Sequence, residues 1–127
     1  MTAASVARKL GLKPGGRLGV LLAPPEIAAL LGVLPEGAAV SGEGSGPCAL
    51  LLLFARDSTQ LVRHLPLAQA ALEPLGTLWV AFIKRTSGQT TDVNRDLIRD
   101  HAMTRGLRAA GIIAIDARWS ALALKSV

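Results

Sequence analysis

The stretch Thr77-Leu78-Trp79-Val80-Ala81-Phe82-Ile83, followed at once by Lys84-Arg85-Thr86-Ser87-Gly88, constrains this chain more than any other. Strand-forming residues run here without the polar alternation of a half-exposed strand, so both faces of the segment must be covered. A strand covered on both faces belongs in the middle of a sheet flanked by helices, and such sheets hold their ligands beyond the strand ends. The loop after Ile83 is therefore the first place to look for function.

Around that strand the chain reads as an alternation of elements. Residues 2–12 predict a short helix or arm, with Val6 and Leu10 spaced to dock on the body. Lys13-Pro14-Gly15-Gly16 is a turn into a strand over 17–23, which Pro24-Pro25 ends. Pro25 then opens a short helix through Leu31, since its missing N–H costs nothing in a first turn, and Gly32 closes it. A weaker strand over 38–41 leads through a glycine-rich loop to the strongest strand, Ala49 to Phe54. Asp57 and Gln60 form a variant capping box for a helix with Leu61, Val62 and Leu65 on one face, interrupted by Pro66 and resumed through Leu72. Glu73-Pro74-Leu75-Gly76 reads as the exit turn. A helix over 92–105 buries Val93, Leu97 and Ile98 and stops at Gly106. Leu107 to Ile115, broken by Gly111, and Trp119 to Leu124 close around Asp116-Ala117-Arg118 as an antiparallel hairpin. The sum is an α/β fold: one domain over 1–127, a three-layer Rossmann-like sandwich with a mostly parallel sheet and a C-terminal antiparallel hairpin.

Composition narrows the function classes. Half of the 127 residues are apolar, yet there are two Phe, two Trp and no Tyr, so the core must be aliphatic. The longest apolar run, Ala49 to Ala55, falls far short of the roughly 20 residues that cross a bilayer, and no signal-peptide pattern opens the chain, so a soluble, cytoplasmic protein is expected without a membrane partner. The single cysteine, Cys48, reads as a small buried residue leading into a strand. With two scattered histidines it offers no metal cluster, and no metal is expected. The net charge of +5 would suit an anionic partner. Arg8, Lys9, Lys13 and Arg17 crowd the N-terminal segment, whereas Arg95, Arg99, Arg105 and Arg108 interleave with Asp92, Asp96 and Asp100 as a solvated face does. No aromatic residue stands among these cations to stack bases, so nucleic acid is not the expected partner.

The chemistry concentrates in one loop. Lys84, Arg85, Thr86, Ser87, Gly88 and Thr91 bring cations, hydroxyls and a glycine to a predicted helix start, the ingredients of a phosphate or carboxylate site. The competing reading is a solvated crossover whose Thr91 or Asp92 caps the helix, and Asp92 would oppose an anion if it pointed inward. Pro24, Glu26, Arg56 and Trp119 fall at other strand ends and form the expected pocket rim, with Trp119 read as a packing anchor in preference to a ligand wall or dimer contact. His101, between the angular positions of Leu97 and Ile98, reads as structural, and His64 as helix surface. No catalytic residue is assigned.

Two resemblances follow from residues already quoted. Lys13-Pro-Gly-Gly-Arg-Leu-Gly-Val-Leu-Leu, Leu72-Glu-Pro-Leu-Gly-Thr-Leu-Trp-Val and the closing hairpin resemble landmarks of the class I S-adenosylmethionine-dependent methyltransferase fold, shortened by one helix-strand-helix between Val40 and Ala49. Nearly the whole chain, through Lys9-Leu-Gly-Leu-Lys-Pro-Gly, Ala23-Pro-Pro-Glu, Leu50 to Phe54, Leu78-Trp-Val-Ala, Lys84 through Ser87-Gly88 to Thr91-Asp92, and Ala114-Ile-Asp-Ala-Arg-Trp-Ser, is similar to the small bacterial proteins catalogued as domain of unknown function 3052. That resemblance implies a Rossmann-like fold and no assigned activity. The methyltransferase pattern asks for an acidic, glycine-rich turn after the first strand. Ala23-Pro24-Pro25-Glu26 stands there instead, and Glu43 is the nearest match to a ribose-binding acid. S-adenosylmethionine is accordingly disfavoured and no cofactor is expected. The resulting expectation is a non-catalytic binding or regulatory protein for a small anionic ligand or a protein partner, with a homodimer allowed. The alternative is a methyltransferase-like enzyme with an altered cofactor pocket.

Overall fold

The computed structural model describes residues 5–42, 47–84 and 91–127. Its elements are α1 (Val6–Lys9), β1 (Arg17–Leu21), α2 (Ile27–Leu31), β2 (Ala39–Ser41), β3 (Cys48–Phe54), α3 (Ser58–Ala70), β4 (Leu72–Ile83), α4 (Arg95–Met103), β5 (Leu107–Ala114) and β6 (Trp119–Ser126). They build a six-stranded sheet in the order β2-β1-β3-β4-β6-β5. The first four of these run parallel, and β6 and β5 close the sheet antiparallel. The fold is thus the expected Rossmann-like sandwich with its terminal hairpin.

Continuous apolar strands find cover on both sides. Along β4, Leu78, Val80 and Phe82 join a core with Leu61, Leu65 and Ala68 of α3 and Ile98 and Ala102 of α4. The alternate residues Trp79, Ala81 and Ile83 join a second core with Ala7 of α1, Leu31 of α2, Phe54 and Trp119. Successive side chains on a strand point to opposite faces, so one unbroken run supplies both cores. Trp79 also donates its indole N–H to the Leu10 carbonyl at 2.8 Å, fastening the N-terminal segment to the sheet.

Several expectations are corrected. Pro66 does not interrupt its helix: α3 runs 13 residues straight through it. A proline inside a helix forfeits a hydrogen bond and costs about 3 kcal/mol or more. Leu61 and Leu65 before it and Ala68 beyond it are all fully buried, and keeping that face in register offsets the cost. Val62 is 54% exposed and Leu97 36%, so neither belongs to the buried stripe assigned to it. The first strand ends at Leu21 because Leu22 takes a left-handed backbone, φ 56°. The exit turn Glu73 to Gly76 lies inside β4 as a bulge: Leu72 pairs with Cys48 and Thr77 with Leu50, so 73–76 loop outward between them. The last helix begins at Arg95, capped by the Asn94 side chain on the Leu97 N–H at 2.9 Å, and not at Thr91 or Asp92. Gly106 does follow it in the left-handed conformation, φ 77°.

Because β1, β3 and β4 are parallel, Leu21, Phe54 and Ile83 open onto one edge of the sheet. The strand order reverses between β1 and β3, with α2 packing on one face and α3 on the other. That reversal is where a fold of this kind leaves a crevice.

Candidate functional site

At the reversal point the crevice is spanned by the chain's own side chains. Arg56, just beyond β3, donates from its guanidinium to the Leu22 carbonyl at 3.2 Å, linking the ends of β3 and β1. The same guanidinium lies over the Trp119 ring, its Cζ 5.7 Å from the centroid, close enough for a cation–π contact. Trp119 is 2% exposed and meets Phe54 edge-to-face at 5.0 Å. It packs as an anchor against a strand end, and its indole N–H has no hydrogen-bond partner among the described residues. Pro24, two residues beyond Leu22, is buried, and Glu26, exposed, faces Arg118 across 3.9 Å. Of the four rim residues named from the sequence, Arg56 and Trp119 contact each other and Glu26 is paired with Arg118.

The segment entering α4 is tied down in the same way. Thr91 donates its hydroxyl to the Arg56 carbonyl at 2.8 Å and accepts the Val93 N–H at 3.1 Å. The Asp92 carboxylate accepts the Ser58 N–H at 2.7 Å and, over a shorter contact, the Ser58 hydroxyl. Ser58 opens α3, so the positive end of that helix already holds an anion belonging to the chain. The two Ser58 bonds, the hydroxyl foremost, hold the Asp92 carboxyl below its ordinary range. Thr91 thus ties the segment before α4 to the end of β3, and the Asp92 carboxylate reaches the start of α3.

Of the predicted anion set, Lys84 and Thr91 are among the described residues. The Lys84 backbone N–H donates to the Arg118 carbonyl at 2.7 Å, and the residue borders a groove of about 330 Å³ between α4 and the β4-β6-β5 end of the sheet. Phe82 and Ile112 form the apolar part of the groove, Ile83 borders it at the end of β4 while its side chain belongs to the core on the other face, and Asn94, Arg95, Asp96 and Ser120 complete its rim. Asp96 is shared between Arg95 at 3.8 Å and Arg99 at 3.5 Å. Arg85, Thr86, Ser87 and Gly88 of the predicted loop, and Glu43, lie outside the described residues. The sequence reads Arg95 as part of a solvated face and gives Asn94, Ser120 and Ile112 no role in a site. Only the cap residue Asn94 carried a local signal, standing three residues before Leu97.

A cofactor bound as in the methyltransferase pattern would cross the end of β1. Residues 22–26 contain no glycine, Leu22 is already left-handed with its carbonyl engaged by Arg56, and Pro24 is buried. Backbone donors and open space are what such a cofactor requires at that turn, where the prolines supply no N–H and the Leu22 carbonyl is already engaged.

Comparison with protein-family models and with curated proteins finds no match, so the likeness to domain of unknown function 3052 gains no support there. Solved structures do match. TrmN from Thermus thermophilus superposes with a TM-score of 0.64 at 12% identity, over 96% of this chain and 47% of that one. The ribosomal protein L11 methylase from Lactobacillus delbrueckii subsp. bulgaricus gives 0.56 at 12% identity, over 94% of this chain and 74% of that one. The chain thus spans about half the length of TrmN. Identity this low speaks for architecture alone, and the architecture is methyltransferase-like and Rossmann-like.

Proposed function

We propose that this domain binds a small anionic ligand, without catalysing its conversion, in the groove beside Lys84. The observation that carries the reading is that two cations, Lys84 and Arg95, share one concave surface with an apolar floor of Phe82 and Ile112. A rim that is net positive, with Asp96 shared between Arg95 and Arg99, over an apolar floor suits a ligand with a carboxylate or phosphate on a hydrophobic body. The crevice at the strand reversal supports a non-catalytic reading, since Arg56, Trp119 and Leu22 engage one another where chemistry would need room. The shared order of motifs supports placing the chain beside the bacterial domain of unknown function 3052.

Thermal-shift and calorimetric titration with inorganic phosphate, nucleotides and aryl carboxylates tests the proposal. A ligand present at about 100 times its Kd adds about 2.7 kcal/mol of stability, visible as several degrees in melting temperature. Lys84→Ala and Arg95→Ala should each remove the shift. A shift that persists in both variants, or no shift with any member of the panel, overturns the reading.

A second reading, a methyltransferase-like enzyme with an altered pocket, is favoured by the fold likeness alone. Under it, S-adenosylmethionine or S-adenosylhomocysteine raises the melting temperature at millimolar concentration. An unchanged midpoint with both removes it.

A further inference from the structure

The groove beside Lys84 has one hydroxyl among its apolar residues. On β6 the residues that share a face with Ser120 are Leu122 and Leu124, both members of the core that α3 and α4 cover. Ser120 is the polar exception on that face. It is half-buried, it lines the groove, and its hydroxyl makes no hydrogen bond with another described residue. A hydroxyl partly withdrawn from water gains only when something accepts from it or donates to it.

Strand register fixes where that hydroxyl stands between the ends of the groove. Ser120 pairs with Phe82 of β4 and with Ala114 of β5, while Leu122, the next residue on the same face, pairs with Val80 and Ile112. Lys84 follows β4 and donates its N–H to the Arg118 carbonyl, so it stands level with Arg118, two residues before Ser120. From Lys84 to Ser120, and again from Ser120 to Ile112, the path crosses one strand spacing and two residues of rise, about 8 Å between Cα positions in each step. Lys84, Ser120 and Ile112 therefore lie on one diagonal across three strands, with Ser120 at its midpoint. One end carries a cation with Arg95 nearby on the rim, and the other is an isoleucine that is 47% exposed.

We infer that Ser120 sets the specificity of the groove: its hydroxyl hydrogen-bonds a polar group in the middle of the ligand, between an anionic end at Lys84 and an apolar end on Ile112. The inference rests on the anion-binding reading of this groove and narrows it. The ligand class is an extended acid with a carbonyl or amide part-way along its body. A plain arylalkyl acid would cover the Ser120 hydroxyl and leave it unpaired, and a site built to hydrogen-bond its ligand discriminates against an analogue that lacks the group.

Calorimetric titration of the full chain with two acids of equal length tests this. In 4-benzamidobutanoate an amide stands between the carboxylate and the ring, and in 6-phenylhexanoate methylenes take its place. The wild type should prefer the amide, and Ser120→Ala should reduce that preference about three- to tenfold, weakening the amide while 6-phenylhexanoate binds as tightly or more so. Ser120→Cys, close in size and a weak hydrogen-bonding group, gives the same comparison if the alanine variant does not fold. An unchanged preference, or an equal loss of both acids, overturns the role of Ser120, while binding that still depends on Lys84 and Arg95 leaves the groove reading standing. If neither acid binds the wild type the inference falls, and the groove reading falls with it only if phosphate and nucleotides also leave the melting temperature unchanged.

Discussion

The Asp92 carboxylate accepts two hydrogen bonds from Ser58, which stands 34 positions earlier and opens α3. The bonds favour the ionised form and lower its pKa from the ordinary 3.8. A group whose pKa is depressed by folding contributes stability above its unfolded value, and that contribution is lost as pH falls through the folded value. The fold should therefore weaken below about pH 4 in part through this residue. Asp92→Asn should lower the melting temperature at neutral pH and flatten its decline in acid. Thermal melts of both proteins between neutral pH and strong acid check this, and parallel curves would count against it.

Trp119 combines near-complete burial with an indole N–H that has no partner among the described residues. Truncation to Ala removes the ring that Phe54 and Arg56 both contact and should cost about 3–5 kcal/mol. Trp119→Phe keeps an aromatic face and deletes the unsatisfied donor, whose removal offsets part of the lost packing, so its cost should be about 1–2 kcal/mol. Urea denaturation of the two variants gives the comparison. Equal losses would show that the ring face contributes little.

What the sequence makes legible follows from how local each cause is. The run from Leu78 to Ile83 declares a doubly covered strand because every residue in it is apolar, and the structure buries all six on alternating faces. Asp57 caps α3 through the Gln60 N–H, and Gln60 returns a bond to the Arg56 N–H, both within one turn. Thr91 and Asp92 are equally good caps by residue type, yet their partners Arg56 and Ser58 lie 35 and 34 positions away, so Asn94 takes the role. The groove is further out of reach, since β4, α4, β5 and β6 each contribute to it. Arg56 stands just after a strand, and nothing local indicates that its guanidinium meets the Leu22 carbonyl.

Leu75 offers a test of backbone strain with few other terms. It sits in the left-handed region at φ 66°, and its side chain is 97% exposed. A side chain that packs against nothing gives no return for the roughly 1–2 kcal/mol that this conformation costs an L-residue. Glycine removes the cost while giving the unfolded chain more freedom to lose, about 0.4–1 kcal/mol. Leu75→Gly should therefore raise stability by up to about 1 kcal/mol, read as a higher urea midpoint with an unchanged slope.

The neighbouring Gly76 predicts the opposite sign. A Cβ added there would lie 2.8 Å from a Leu72 methyl group and 2.9 Å from the carbonyl oxygens of both Ala49 and Glu73. Methyl groups can turn aside, but the two carbonyls belong to backbone at the step where β4 shifts its register against β3. Relief would require moving one of those strands, and overpacking of this kind costs typically about 1–3 kcal/mol. Gly76→Ala should thus destabilise the domain by that amount, whereas Gly42→Ala, where nothing lies within 4 Å, should change the urea midpoint little. If the two alanine variants unfold at the same urea concentration, the bulge accommodates a side chain and the close approach of β3 and β4 does not require glycine.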